Sequence, residues 1–238
     1  MSTLLELRER VQADLDLQDE TFITDSDINT WINDAIKKAE AVIHTLYEDY
    51  FITQTTQAIT AGTYLYSYPS DVYANKIRKI IYHDSGKTTS HEVKRVPSLV
   101  EGSERDIYST GSNSVLQWSP YNSKSGGRQI RLFPEAGRAG TLIIWYIRNA
   151  RQLVDETVDE VTTLADAQSC DIDEFERYIL QCVKTECYFK EGDPRAMQSK
   201  QLEEQLKVDM IETLSNAVPD NNDEIPMDFS FYNDCEGV

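Results

Sequence analysis

Apolar residues between positions 28 and 47 recur at spacings of three and four: Ile28, Trp31, Ile32, Ala35, Ile36, Ala39, Val42, Ile43, Leu46 and Tyr47. A helix places residues so spaced on one face, and Thr24-Asp25-Ser26-Asp27 before them offers side-chain oxygens to its free N–H groups. Leu4, Leu7, Val11 and Leu15 form a narrower stripe behind the capping-box pattern Thr3-x-x-Glu6. That stripe needs the second helix to cover it.

From Phe51 the period changes to two. Thr53, Thr55, Thr56 and Ile59 favour strand, Ala61-Gly62 turns the chain, and Tyr64, Tyr66 and Tyr68 alternate after it. Further strands are expected over Lys76–Tyr82, His91–Val96, Ser114–Trp118, Gln129–Phe133 and Thr141–Arg148. They are separated by Asp84-Ser85-Gly86-Lys87, Gly126-Gly127 and Pro134 to Gly140. Six or seven short strands make a small antiparallel sheet or barrel-like unit.

Helical spacing returns after about position 166. Asp171-x-x-Glu174 reads as a cap before Ile172, Phe175, Ile179, Cys182, Val183 and Phe189, and Gly192-Asp193-Pro194 stops one helix and starts another. The last helix is mostly polar. Its thin stripe of Met197, Leu202, Leu206, Met210 and Leu214 suits an exposed helix or a subunit contact. The expected fold is therefore α+β, a helical bundle from residues 1–50 and 151–215 with an inserted antiparallel β domain at 51–150. Residues 216–238 form an extended acidic C-terminal tail.

Charge follows the same divisions. The chain of 238 residues carries a formal charge of −18. Residues 1–50 hold 4 positive and 12 negative side chains, residues 51–150 hold 12 and 7, residues 151–215 hold 7 and 16, and the tail holds 0 and 6. A protein gripping phosphates over its whole surface needs clustered Lys and Arg, so this balance disfavours one. A membrane span is excluded, because the longest apolar run, Leu142 to Ile147, falls far short of the roughly 20 residues a bilayer requires. Glu6, Arg8, Glu9 and Arg10 interrupt the N-terminal leucines, so no signal peptide is read there and the chain reads as soluble and intracellular at synthesis.

Chemistry is hard to find. Cys170, Cys182, Cys187 and Cys235 make no C-x-x-C pair, and reduced, mostly buried thiols are expected. Gly86-Lys87-Thr88 lacks the glycine that a phosphate-binding loop needs at position 81, which is Ile81. His44 reads as a helix-surface residue, and His83 and His91 flank one turn without a third ligand. No catalytic residues, cofactor or metal are assigned.

An interaction protein is what this leaves. Basic residues of the middle section, among them Arg78, Lys79, Arg128 and Arg131, are candidates for inter-subunit contacts. Acidic helical flanks and a basic β section are complementary to copies of the same chain, and head-to-tail contacts of that kind make a ring when the rotation closes. In the tail, Ile225, Met227, Phe229 and Phe231 alternate with polar or small residues, as a strand adding to a partner's sheet edge would. A disordered acidic tail is the other reading of the same residues.

The layout resembles the head-to-tail adaptor (connector) proteins of tailed bacteriophages. The likeness runs through Leu7-Arg8-x-x-Val11, Asp25-Ser26-Asp27-Ile28-Asn29-Thr30-Trp31-Ile32-Asn33-Asp34-Ala35-Ile36 and Thr60-Ala61-Gly62-Thr63-Tyr64-Leu65-Tyr66-Ser67-Tyr68-Pro69-Ser70-Asp71. It continues in Ile130-Arg131-Leu132-Phe133-Pro134-Glu135-Ala136-Gly137, Thr141-Leu142-Ile143-Ile144-Trp145-Tyr146 and Glu191-Gly192-Asp193-Pro194, and covers roughly residues 4–214. Ser67-Tyr68 stands where the family has a leucine before the proline.

The resemblance implies a structural virion protein at the neck, assembled in the host bacterial cytoplasm as a ring of twelve copies beneath the portal protein. Genome DNA would pass through its lumen without specific binding, and tail or neck proteins would dock below. Ile225, Met227, Phe229 and Phe231 then become a candidate anchor on the portal or the adjacent subunit. Arg78, Lys79, Arg128 and Arg131 become candidate inter-subunit or neck contacts. Two other readings stand beside this one. A tail-completion or stopper protein shares most of these expectations. A nucleic-acid-binding module would use Tyr64, Tyr66, Tyr68 and Trp118 as stacking platforms, although tyrosines at period two more often form a core or a sheet face.

Overall fold

The computed structural model describes residues 2–17, 22–86, 90–96, 116–124, 127–133, 136, 138–154 and 169–217. Helix α1 spans Leu4–Leu15 and α2 spans Asp25–Leu46. Both begin on reciprocal capping boxes. The Thr3 hydroxyl accepts from the Glu6 N–H while the Glu6 carboxylate accepts from the Thr3 N–H, and Thr24 and Asp27 repeat the exchange. Asp16 ends α1 in the left-handed region at φ 56°. Helix α3 covers Glu176–Glu191 and ends on Gly192, also left-handed, with α4 following over Ala196–Ala217.

Among the described residues eight strands lie between the helical ends: β1 Ile52–Ile59, β2 Leu65–Ser67, β3 Val72–Asp84, β4 Ser90–Glu92, β5 Lys94–Arg95, β6 Gln117–Ser123, β7 Gly127–Phe133 and β8 Gly140–Arg148. They form two four-stranded sheets, in the orders β1-β8-β3-β4 and β2-β7-β6-β5. The expected α+β division, with helices from both flanks packed together around an inserted β section, is what forms; its strands divide into two sheets, and the β5–β6 pair is parallel.

Two hydrophobic cores result. One joins α1, α2, α3 and α4 through residues such as Leu7, Ile32, Ile36, Ile179, Val183 and Met210, and the other is shared by both sheets through Ile80, Trp118, Ile130, Leu132, Leu142 and Ile144. Strand β8 serves both. Ile147 is fully buried in the helical core, while Tyr146, pointing to the opposite face, is buried in the sheet core.

Several local expectations change in three dimensions. Asp171 does not cap α3, whose N-terminus follows a 3-10 turn at Asp173–Phe175 without a side-chain cap. Its carboxylate instead accepts from Arg148 at 2.6 Å and from the Arg151 N–H at 2.9 Å. His44 is buried, because β3 folds back over the end of α2 and stacks Tyr73 on the imidazole at 3.7 Å. Phe189 is 49% exposed. On α4 the buried stripe is Ser199, Glu203, Leu206, Met210 and Leu214, so Met197 and Leu202 face outward.

Candidate interaction surfaces

The chain enters the sheets at residues 47–51 and leaves them at 148–153, and polar side chains lock both crossings. On entry, Glu48 and Asp49 accept from Arg78 of β3 at 2.5 and 2.8 Å, and Lys76 also pairs with Glu48. The Lys76 ammonium, followed by Arg78, holds the Glu48 carboxyl below its ordinary value despite some desolvation. On exit, the Arg148 guanidinium bonds Asp171 and stacks over Phe51 at 5.3 Å.

Three further groups tie this exit down. Asn33 exchanges two hydrogen bonds with the backbone of Leu153, and the Glu40 carboxylate accepts from the Ala150 N–H at 2.8 Å. Asp71 accepts from the Tyr146 hydroxyl at 2.8 Å through its side chain and from the Asn149 N–H at 2.7 Å through its backbone. Burial, reinforced by this bond to Asp71, pushes the Tyr146 phenol up to about 12. The arrangement neutralises charge and fixes orientation.

The sequence-predicted contact residues separate into different environments. Arg78 and Lys79 are 40% and 48% exposed and already face carboxylates of their own chain, Glu48 and Asp49 for the first and Glu92 at 3.7 Å for the second. Arg128 is exposed near the start of β7. Arg131 lies half-buried among aromatic rings, 4.7 Å from the Phe133 centroid, 5.6 Å from Tyr64 and 5.7 Å from Tyr121. Arg78 and Lys79 lie on β3 of one sheet, and Arg128 and Arg131 on β7 of the other. Ile225, Met227, Phe229 and Phe231 lie outside the described residues.

The aromatics of the nucleic-acid reading divide as well. Tyr66 and Trp118 are buried in the sheet core and Tyr64 is 42% exposed. The Tyr66 hydroxyl donates to the carbonyls of Thr60 and Thr63, which fixes the turn at Gly62. A stacking platform needs free ring faces, and those two rings have none.

Between α3 and α4 lies a groove of about 430 Å³ lined by residues that include Gln181, Lys184, Tyr188, Arg195, Gln201 and Gln205. Its floor is a buried polar seam: Gln181 Nε2 donates to the Ser199 hydroxyl at 2.7 Å, and Thr185 and Ser199 share a bond of 2.9 Å. Cys170, Cys182 and Cys187 are buried free thiols, as expected. Burial, with Glu203 adding to it, pushes the Cys182 thiol up to about 12, and burial with Glu191 does the same to Cys187. Among the described residues no group of His, Cys, Asp and Glu has the geometry to hold a metal ion. Among them also, no helix is long and apolar enough to cross a membrane.

Strand β1 is a further exposed surface. It occupies one edge of its sheet, with β8 on one side, and among the described residues no strand pairs with the other. Its register with β8 runs unbroken from Ile52↔Ile147 to Ile59↔Gly140.

Asn33, Glu40 and Asp71 went unmarked as working residues in the sequence reading. Asn33 and Asp71 do stand inside the segments that carry the resemblance, which was the available signal. Glu40 carries no local mark, since a carboxylate that accepts a backbone N–H 110 residues away looks like any surface glutamate.

A family model described as SU10 adaptor protein matches residues 2–222. No curated protein matches the chain.

Proposed function

The chain belongs to the SU10 adaptor protein family, a family of phage head-to-tail adaptors rather than of enzymes, and we propose that it forms a ring beneath the portal. In this reading twelve copies extend the DNA channel, and the ring's far side docks the tail or neck proteins. Its place is the virion neck, reached after assembly in the host cytoplasm. The observation that carries the reading is the family match over nearly the whole chain, helices and sheets together.

Physical features support it. The ends of the chain combine into one helical body, and the strand section leaves and re-enters that body through charge-neutralised, hydrogen-bonded crossings. Such a scaffold can present a rigid sheet surface to a neighbour. Acidic side chains exposed on the helices, such as Glu204, Asp209 and Glu212, are suited to a channel wall that repels DNA phosphates. Arg128, exposed on the basic β section, is offered to an acidic neighbour, whereas Arg78 and Lys79 also serve carboxylates of their own chain. The tail residues Ile225, Met227, Phe229 and Phe231 anchor the protein on the portal or on the adjacent subunit.

Solution mass by light scattering tests the reading. The chain alone is expected near its monomer mass of 27.2 kDa, and a closed ring is expected when it is mixed with a candidate portal protein. Deleting residues 219–238 should abolish portal binding while circular dichroism and thermal unfolding stay as in the full chain. A stable monomer that ignores the portal yet binds single-stranded nucleic acid with a steep salt dependence would replace the adaptor reading with the nucleic-acid one.

A further inference from the structure

Sheet edges in natural proteins are short, charged, bulged or covered, because a bare edge templates pairing with another chain. Among the described residues the two sheets have four edges, and three of them obey that rule. β2 and β4 have three residues each, with Glu92 in β4, and β5 is the charged pair Lys94-Arg95. β1 does not. Its eight residues, Ile-Thr-Gln-Thr-Thr-Gln-Ala-Ile, contain no charge, proline or glycine, and its pairing to β8 has no bulge.

The inner face of this edge is also unfinished. Thr53, Thr55 and Gln57 are only half-buried, although their cross-strand partners Tyr146, Ile144 and Leu142 are buried in the sheet core. One more strand carrying large apolar side chains on that face would cover them.

We propose that β1 receives residues 225–231 of a second copy of this chain as an added ninth strand. This rests on the ring reading above, in which each subunit gives one strand to a neighbour and accepts one from the other side. The sequence Ile225-Pro226-Met227-Asp228-Phe229-Ser230-Phe231 puts four apolar side chains on one face. In a strand the N–H and C=O of alternate residues point to opposite lateral sides. The parity that turns the backbone of Ile225, Met227, Phe229 and Phe231 toward β1 turns Pro226 outward, where its missing N–H costs no ladder bond. One of the two strand directions meets both conditions, apolar side chains inward and proline outward.

Length and charge agree. Seven residues at about 3.3 Å each span nearly the length of the eight-residue β1, and residues 218–224 supply up to about 23 Å of reach beyond α4. The tail carries six acidic and no basic side chains, and the section that includes β1 carries twelve basic and seven acidic ones. A neutral edge flanked by that section accepts the strand without like-charge contact.

Disulfide trapping between two differently marked chains tests this. One chain carries Thr55→Cys and lacks residues 219–238. The other is full-length with Phe229→Cys and Cys235→Ser, and neighbouring tail positions are scanned in the same background to allow for register. The buried Cys170, Cys182 and Cys187 stay out of the reaction. The expected result, on oxidation of the mixture with portal present, is a disulfide-linked heterodimer at alternate tail positions. Amide exchange along β1 should also be slower in the full-length ring than in the tail-deleted chain, and slower than in a full-length chain carrying Met227→Lys and Phe229→Lys. A full-length chain bearing both cysteines that closes only on itself would overturn the proposal, since its own tail would then cover the edge. Rings that form without cross-links and without slowed β1 exchange would overturn it too, leaving the adaptor reading intact. Failure of the unmodified chain to form rings with portal would instead remove the adaptor reading on which it rests.

Discussion

Asn33 and Leu153, 120 residues apart, pair as neighbouring strands do: Asn33 Nδ2 donates to the Leu153 carbonyl at 2.9 Å and Asn33 Oδ1 accepts from the Leu153 N–H at 2.9 Å. A side-chain amide thus replaces a backbone partner and fastens the exit from the sheets to the middle of α2. Glu40, seven residues later on the same helix, does the same for the Ala150 N–H. At these two points side chains hold the chain leaving β8, beside the backbone bond from the Asn149 N–H to Asp71.

Removing this amide has a calculable effect. Asn33→Ala forfeits both bonds, each worth about 1 kcal/mol net, so stability should fall by about 2 kcal/mol. For a chain of this size that is a drop in Tm of roughly 4–8 °C. Asn33→Asp keeps an acceptor for the Leu153 N–H and should fall in between. Thermal unfolding followed by circular dichroism checks the order, and an alanine variant as stable as the parent would refute the clamp.

Gly140 provides a second test, on packing instead of hydrogen bonding. It pairs with Ile59 on one side and Asp84 on the other, and a β-carbon added to it would collide with the His83 carbonyl oxygen and the Tyr82 ring. Both obstacles are held: one is backbone, and the Tyr82 hydroxyl donates to the Arg138 carbonyl at 3.0 Å. Gly140→Ala should therefore destabilise by about 1–3 kcal/mol through overpacking. Gly62→Ala strains differently, through φ of 77° with open space around it, and its cost should be about 1 kcal/mol. Urea titration of the two variants should rank Gly140→Ala as the worse.

The thiols give a prediction with a clean readout. Burial raises the Cys170 thiol and carries Cys182 and Cys187 to about 12, so none has an appreciable thiolate population at pH 8. In a Cys235→Ser variant, Ellman's reagent at pH 8 should find no rapidly reacting thiol in the folded protein and three after unfolding. Rapid native reaction of any of the three would mean that the helical core opens far more readily than its packing implies.

Local patterns carried most of this fold, and their failures have a common cause. The capping boxes at Thr3 and Thr24, the stripe from Ile28 to Ile43, the turn at Gly62 and the helix stop at Gly192 depend on residues a few positions apart, so they are legible in order along the chain. His44, Asp171 and the α4 stripe were misread because their surroundings come from elsewhere: Tyr73 covers the first, Arg148 takes the second, and α3 selects the buried face of the third through Gln181 and Thr185. The split into two sheets is likewise a matter of which strands pair across distance, which alternation cannot specify. For the proposed added strand, alternation in the tail suggests the donor, but the receiving edge comes from the topology, in which no strand among the described residues pairs with the outer side of β1.

Acid sensitivity should trace in part to Asp27. The Lys190 ammonium bonds its carboxylate at 2.8 Å, the Thr24 hydroxyl and N–H also donate to it, and together they hold its pKa well below the ordinary aspartate value of 3.8. A carboxyl depressed in the folded state contributes stability that is fully present above its unfolded value and is lost as pH falls through the folded one. The window therefore opens just below pH 4 and extends downward. The side chain is 32% exposed, so solvent and salt screen part of the effect. Asp27→Asn should flatten the fall in unfolding midpoint between pH 4 and pH 2 while leaving it nearly level from pH 6 to pH 8. Salt should shrink the difference between the two proteins, because the pair that generates it reaches the surface. An Asp27→Asn profile parallel to the parent's below pH 4 would show that the link between the start of α2 and the end of α3 contributes nothing to acid stability.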